Sequence, residues 1–217
     1  AAPGEPGTVN VTLGEAVSLA LRRASGEGAG GVAVGLGEPA PAPVADTLRV
    51  RGVLPALSVS RWLAVRDVLF PPGTGERPVA PDPVAAAALP GQLAAAVRIE
   101  TLEAWGREFR SVAISAETTD GGLSVGLAGP DIAGRARVPG TPSAADPVEV
   151  TLEHLHVGRR AEPPPEYVPS PSRIPAIRLS AESTRYEDIQ LGHTELRTLP
   201  GPDGLHLAQL SFVSERF

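Results

Sequence analysis

The chain contains no cysteine, no methionine and no lysine. Without cysteine there is neither a disulfide framework nor thiol chemistry, and nothing marks the redox compartment directly. Without lysine, all 19 basic residues are arginine. A phosphate-cradling loop of the Gly-Lys-Ser/Thr type is therefore excluded, and the glycine-rich run 26–31 reads as a turn. Aromatic residues are also scarce, with two Trp, two Tyr and four Phe among 217 residues. There is no His-Glu-x-x-His pair. No apolar run reaches the roughly 18–20 residues needed to cross a bilayer, and no signal peptide is visible. The net charge is −6, with acidic and basic residues interspersed. No basic stripe is present, so nucleic acid is not an expected partner. A chain that opens without Met reads as a fragment or a processed product. Any anchor would then lie outside it.

What is present is aliphatic and rich in turns. Hydrophobic residues make up 42%, mostly Val, Leu, Ile and Ala, and there are 24 Gly and 24 Pro. The most telling pattern is an internal echo without gaps, in which Gln92–Leu127 aligns with Ile174–Gln209 at a constant offset of 82 residues (174 − 92). Ala95, Val97 and Ile99 fall on Ile177, Leu179 and Ala181. Phe109 falls on Leu191, Ile114 on Leu196, Gly122 on Gly204, Leu123 on Leu205 and Val125 on Leu207. Each copy reads as strand, turn, strand, Asp-Gly turn, strand. A repeat of this kind suits a sheet that grows by adding strands.

Alternation at every second position places further strands. Val9, Val11 and Leu13 share a face, and Val17, Leu19 and Leu21 resume the pattern. Val32–Leu36 is a strand, Pro39–Pro43 an extended connection, and Leu48, Val50 and Val53 another strand. Trp62, Val65, Val68 and Leu69 recur at helical spacing, which predicts a short amphipathic helix over 60–69 anchored by Trp62. Ile132–Val138 carries Arg135 and Arg137 outward. Val148, Val150 and Leu152 then slip phase to Leu155 and Val157, which predicts a bulge. The expected organisation is an N-terminal part over 1–70, a Pro/Ala-rich loop over 71–91, and a C-terminal part over 92–217 that holds the repeat. A second Pro-rich excursion spans Glu162–Ser172.

The fold class expected is all-β: an elongated, curled, mostly antiparallel sheet with one short helix, forming an open apolar groove. Almost every strand has one apolar and one polar face, and the apolar face needs a cover. Folding back as a sandwich or barrel is one solution. A trough that meets a hydrocarbon ligand is the other. Slim aliphatic walls, little helical cover and a repeat that lengthens the sheet favour the trough. Its walls are assigned to Val97, Ile99, Val112, Ile114, Leu123, Val125, Leu127, Ile177, Leu179, Leu196, Leu205 and Leu207.

The run Ile174-Pro175-Ala176-Ile177-Arg178-Leu179, with Arg185-Tyr186, Leu191–Arg197 and Asp203-Gly204-Leu205, resembles a signature of the AsmA-like proteins of Gram-negative bacteria, most closely the YhdP family. Glu103–Ile114 and Gly121–Val125 resemble its upstream counterpart, Asp131–Arg135 the strand that follows, and Leu57–Leu63 the step before. The likeness runs from about Leu48 to Phe217. It departs at Pro71–Pro90, at Glu162–Ser172 and at Glu187-Asp188. The resemblance implies a segment of a long periplasmic protein anchored in the inner membrane through parts absent here. Such a segment would shield phospholipid acyl chains on the way to the outer membrane and join its flanking segments through strand edges. A structural or assembly β module of the envelope is the alternative. The family brings no catalytic residues to carry over.

Nothing in the residues points to an enzyme, a cofactor or a metal. His154 and His156 have the spacing of one strand face, and His193 and His206 lie in the second copy. A zinc site needs three or four converging ligands. These four histidines are expected to be exposed polar positions.

Overall fold

The computed structural model describes residues 8–14, 16–23, 30–62, 91–104, 106–158, 174–201 and 204–214. It is nearly all β. Twelve strands form one mixed sheet whose neighbours follow chain order from β1 to β12, so the sheet is open rather than closed on itself. The strands are β1 (Thr8–Leu13), β2 (Val17–Arg22), β3 (Gly31–Leu36), β4 (Thr47–Ser58), β5 (Gln92–Ala104) and β6 (Arg107–Thr119). They continue as β7 (Gly122–Ala128), β8 (Ile132–Pro139), β9 (Val148–Val157), β10 (Ile177–Tyr186), β11 (Ile189–Gly201) and β12 (Gly204–Val213). β3 with β4 and β9 with β10 are parallel, and Gln92 N at the start of β5 donates to Asp46 O just before β4 at 3.1 Å. One helical turn occupies 59–62. The rest of the helix expected over 60–69, the Pro/Ala-rich loop and the Glu162–Ser172 excursion lie outside the described residues. Trp62 does not anchor its turn as expected. It sits beside the exposed Arg61 on the solvent side of the turn and is itself 58% exposed.

The chain divides into two compact units, residues 1–54 with 64–97, and residues 55–63 with 98–217. In the first unit, the register places Val9, Val11 and Leu13 beside Leu21, Leu19 and Val17. These pair with Val32, Val34 and Leu36, and Val32 and Val34 with Leu48 and Val50. All eleven side chains share one face. The other face carries Ser18, Ala20, Gly31, Ala33, Gly35 and Arg49.

The parallel junction forces a crossover, residues 37–46, and this strap lies on the small-residue face. Ser18 Oγ donates to Glu38 O at 2.7 Å and an Arg49 guanidinium nitrogen to Ala42 O at 3.3 Å. A side chain at Gly35 would strike the Glu38 carbonyl, so only glycine lets the strap lie this close. The buried residues of this unit are accordingly Ala20, Ala33, Gly31 and Gly35. Not one of the eleven large aliphatics opposite is buried, and Val9, Val11 and Leu13 are 51%, 42% and 66% exposed.

In the second unit, β6, β7 and β12 follow the echo closely. β11 starts and ends 82 residues after β6 (189 − 107), and β12 starts at the equivalent of Gly122. The predicted bulge is present, because the pairing of β8 with β9 shifts between Ala133 and Gly134. The sheet curls within this unit. Arg107 at the start of β6 donates to the carbonyl of Gly158, just past β9, and lies 5.3 Å over the ring of Tyr186 on β10. Those contacts span strands that are not neighbours in the sheet. The curl buries Ile99, Val112 and Leu152, the largest fully enclosed side chains of the described residues.

Candidate functional site

The site is the apolar face itself. In the second unit the registers link strand to strand without a break from β6 to β12. Ile114 pairs with Leu127, Ala116 with Val125 and Thr118 with Leu123. Leu123, Val125 and Leu127 pair in turn with Val138, Ala136 and Gly134. Gly134 and Ala136 pair with Leu152 and Val150. Val150 pairs with Leu179 and Val148 with Ile177. Leu179 pairs with Leu196, and Leu196 with Leu210. Thr198 and Pro200 pair with Leu207 and Leu205. Paired residues point the same way, so these residues lie on one face, and Val112, two before Ile114, joins them. On β5, Val97 and Ile99 alternate with the exposed Arg98 and Glu100, Val97 half-buried and Ile99 1% exposed.

Burial grades this face. Val112 and Leu152 are enclosed, the β7 leucines and valine are half-buried, and β12 lies open, with Leu207 57%, Leu210 48% and Phe212 48% exposed. An open face of aliphatic side chains has no directional polar contact to offer. It favours apolar ligands by area alone, at about 25 cal/mol per Å² removed from water.

The opposite face is charged. Arg137 on β8 pairs with Glu149 on β9 at 3.4 Å and with Asp146, and Arg178 on β10 approaches Glu149 at 3.8 Å. Hydrogen bonding, to Asp146 first and Glu149 second, holds the Arg137 guanidinium pKa above its ordinary value. These groups are exposed and contribute little to stability. They hold solvent on this side of the strands.

The histidines of β9 are not the exposed groups expected. Both are half-buried, as is His193 on β11, while His206 is exposed as expected. His154 Nε2 lies 3.1 Å from Gly129 O. His156 Nε2 lies 3.3 Å from Glu187 O, and its Nδ1 3.2 Å from Asp131 Oδ1. They tie turns to the sheet. No group of three or more His, Asp or Glu able to hold a metal occurs among the described residues. No helix among them is long and apolar enough to cross a membrane.

Sequence reasoning missed the open face of the first unit as a candidate site. Its signal was legible, since Gly31, Ala33 and Gly35 alternate with Val32, Val34 and Leu36. Small residues at every second position mark the side on which backbone packs closely.

A family model described as YhdP protein matches residues 2–217, the length of the chain. No curated protein and no solved structure matches.

Proposed function

Because this chain belongs to the YhdP family, we propose that it is a non-enzymatic segment of an inner-membrane-anchored, periplasm-spanning protein that shields phospholipid acyl chains during their passage to the outer membrane. Family membership fits an AsmA-like protein of the bacterial envelope. The lipid role rests on one observation above all. In the first unit the crossover strap covers the small residues, and among the described residues nothing buries the eleven large aliphatics opposite, the reverse of an ordinary soluble sheet.

The mechanism is passive solvation. Each methylene removed from water is worth about 0.8 kcal/mol, so a long chain is held firmly while no single contact dominates. Near-equal positions along an aliphatic wall let the chain slide. The headgroup stays at the open rim. Direction of movement must come from elsewhere in the protein. Flanking segments of the same protein join through the outer edges of β1 and β12, each of which has one sheet neighbour among the described residues.

The alternative is a structural or assembly module that uses the same faces and edges for protein contacts. Protein purified from cells without detergent separates the two. Mass spectrometry of its organic extract is expected to find phospholipid in near-stoichiometric amount. Lipid-free protein, with the apolar faces occupied by other polypeptide, would establish the alternative.

A further inference from the structure

The two copies of the echo differ chemically at three positions that are covered in the first. In the first copy Leu102, Ala104 and Val112 are apolar and 9%, 3% and 0% exposed. At the offset of 82 residues (184 − 102) they become Thr184, Tyr186 and Thr194, each bearing a hydroxyl. Thr184 and Thr194 stay 5% and 6% exposed, and neither hydroxyl has a hydrogen-bond partner among the described residues. Sheet folding alone does not call for them, since the first copy builds the same strands with hydrocarbon. A buried hydroxyl without a partner is a cost that needs a reason.

A positive charge stands over Tyr186, two residues along β10 from Thr184. Arg107 lies two residues before the buried Phe109 on β6, and its guanidinium covers the ring of Tyr186, with a hydrogen bond to the Tyr186 hydroxyl at 3.4 Å. Its other partner is the Gly158 carbonyl. Among the described residues none of its contacts is a carboxylate. Tyr186 is two residues beyond Thr184 on β10, and Thr194 stands opposite Ala181 on β11. Thr194 and Ala181 lie on the apolar face with Leu179 and Leu196.

We infer that Arg107, Tyr186, Thr184 and Thr194 form a subsite for the phosphate group of an amphiphile whose chain lies on that face. This rests on the acyl-chain reading above and adds to it a place where the headgroup is held. A guanidinium fork with hydroxyl donors from a second direction suits a tetrahedral oxyanion. A carboxylate's two oxygens would be satisfied by the guanidinium alone. Of the two copies, only the second carries the hydroxyls, so the holding point belongs to the second copy.

The test compares dodecyl phosphate, neutral dodecyl maltoside and inorganic phosphate, below micelle-forming concentrations, by calorimetric titration of the whole chain. The wild-type protein is expected to favour dodecyl phosphate over the maltoside by about tenfold or more, and to bind inorganic phosphate weakly. In Arg107→Gln, and in the double variant Thr184→Val with Thr194→Val, that preference shrinks toward unity while maltoside affinity holds. The double variant also melts at a higher temperature, because two unpartnered hydroxyls are gone. Tyr186→Phe serves as a milder variant should Arg107→Gln fold poorly.

Preference surviving in all variants, equal loss of both amphiphiles, or inorganic phosphate binding as tightly as dodecyl phosphate overturns the subsite. Binding of both amphiphiles to the wild-type protein without preference sinks the subsite alone. Failure of both amphiphiles to bind the wild-type protein sinks the acyl-chain reading with it.

Discussion

Leu179→Asp is expected to cut the phospholipid recovered with the protein about tenfold or more, while Arg98→Ala leaves recovery within about twofold. Leu179 is half-buried between Val150 and Leu196 on the apolar face. A carboxylate there loses hydration to the acyl chain and gains no partner, a cost of several kcal/mol. Leucine's own contribution of about 2 kcal/mol to the wall is lost as well. Arg98 is exposed and alternates with the covered positions, so its removal disturbs only solvated contacts. Glu149→Ala is a sterner control, because it breaks the pairs to Arg137 and Arg178 on the charged face. It too should leave lipid recovery nearly intact.

The sign of the pH effect follows. Burial against hydrocarbon raises the pKa of the introduced carboxylate, so the defect is fully present when the group is ionised and eases as pH falls through that raised value. Recovery of lipid by Leu179→Asp should therefore improve in mildly acidic buffer. Equal lipid in Leu179→Asp and Arg98→Ala at neutral pH, with both folded, would remove the apolar face from the account.

Gly134→Val is expected to destabilise the second unit by roughly 3–5 kcal/mol, combining backbone strain with overpacking. Gly134 has a φ of +148°, a region that side chains rarely adopt. It sits where the pairing of β8 with β9 shifts, opposite Leu152, itself 2% exposed. A side chain at Gly134 would strike the Thr151 carbonyl and crowd the Leu152 Cα at 2.6 Å. Neither neighbour is a flexible side-chain end that could move aside. A loss of that size is a large share of the 5–15 kcal/mol typical of folded domains. Chemical denaturation monitored by circular dichroism checks it, and a midpoint equal to the wild-type value would show that the bulge tolerates a side chain.

Much of this sheet was legible because its signals are local. Period-two alternation survives in nearly every strand. The slip from Leu152 to Leu155 marked the bulge at Ala133 and Gly134, and the echo placed β11 and β12 from β6 and β7. Other features were not legible, for physical reasons. Alternation says that a strand has two faces and does not say which one the chain crosses over. In the first unit that is decided by close packing of the strap on Gly31, Ala33 and Gly35. The curl of the second unit depends on Arg107 reaching Gly158 and Tyr186, a contact between positions far apart in sequence.

Threonine suits either face of a strand. Alternation therefore does not distinguish Thr184 and Thr194, and only burial shows their hydroxyls enclosed. The echo already held the clue, in the change from Leu102 and Val112 to threonine. Helical spacing predicts Trp62 as an anchor, yet it lies largely in solvent beside the helical turn at 59–62.

The central claim is that acyl chains lie on one face of these strands and not on the other. Site-specific photocrosslinking along β11 and β12 in living cells tests it most directly. With a photoreactive residue at Leu196, Leu205 or Leu207, phospholipid adducts are expected. With the same residue at Glu195, Arg197 or His206, on the opposite side of the same strands, adducts should be absent. Adducts at every position, or at none, would contradict the account, and adducts confined to the charged side would reverse it.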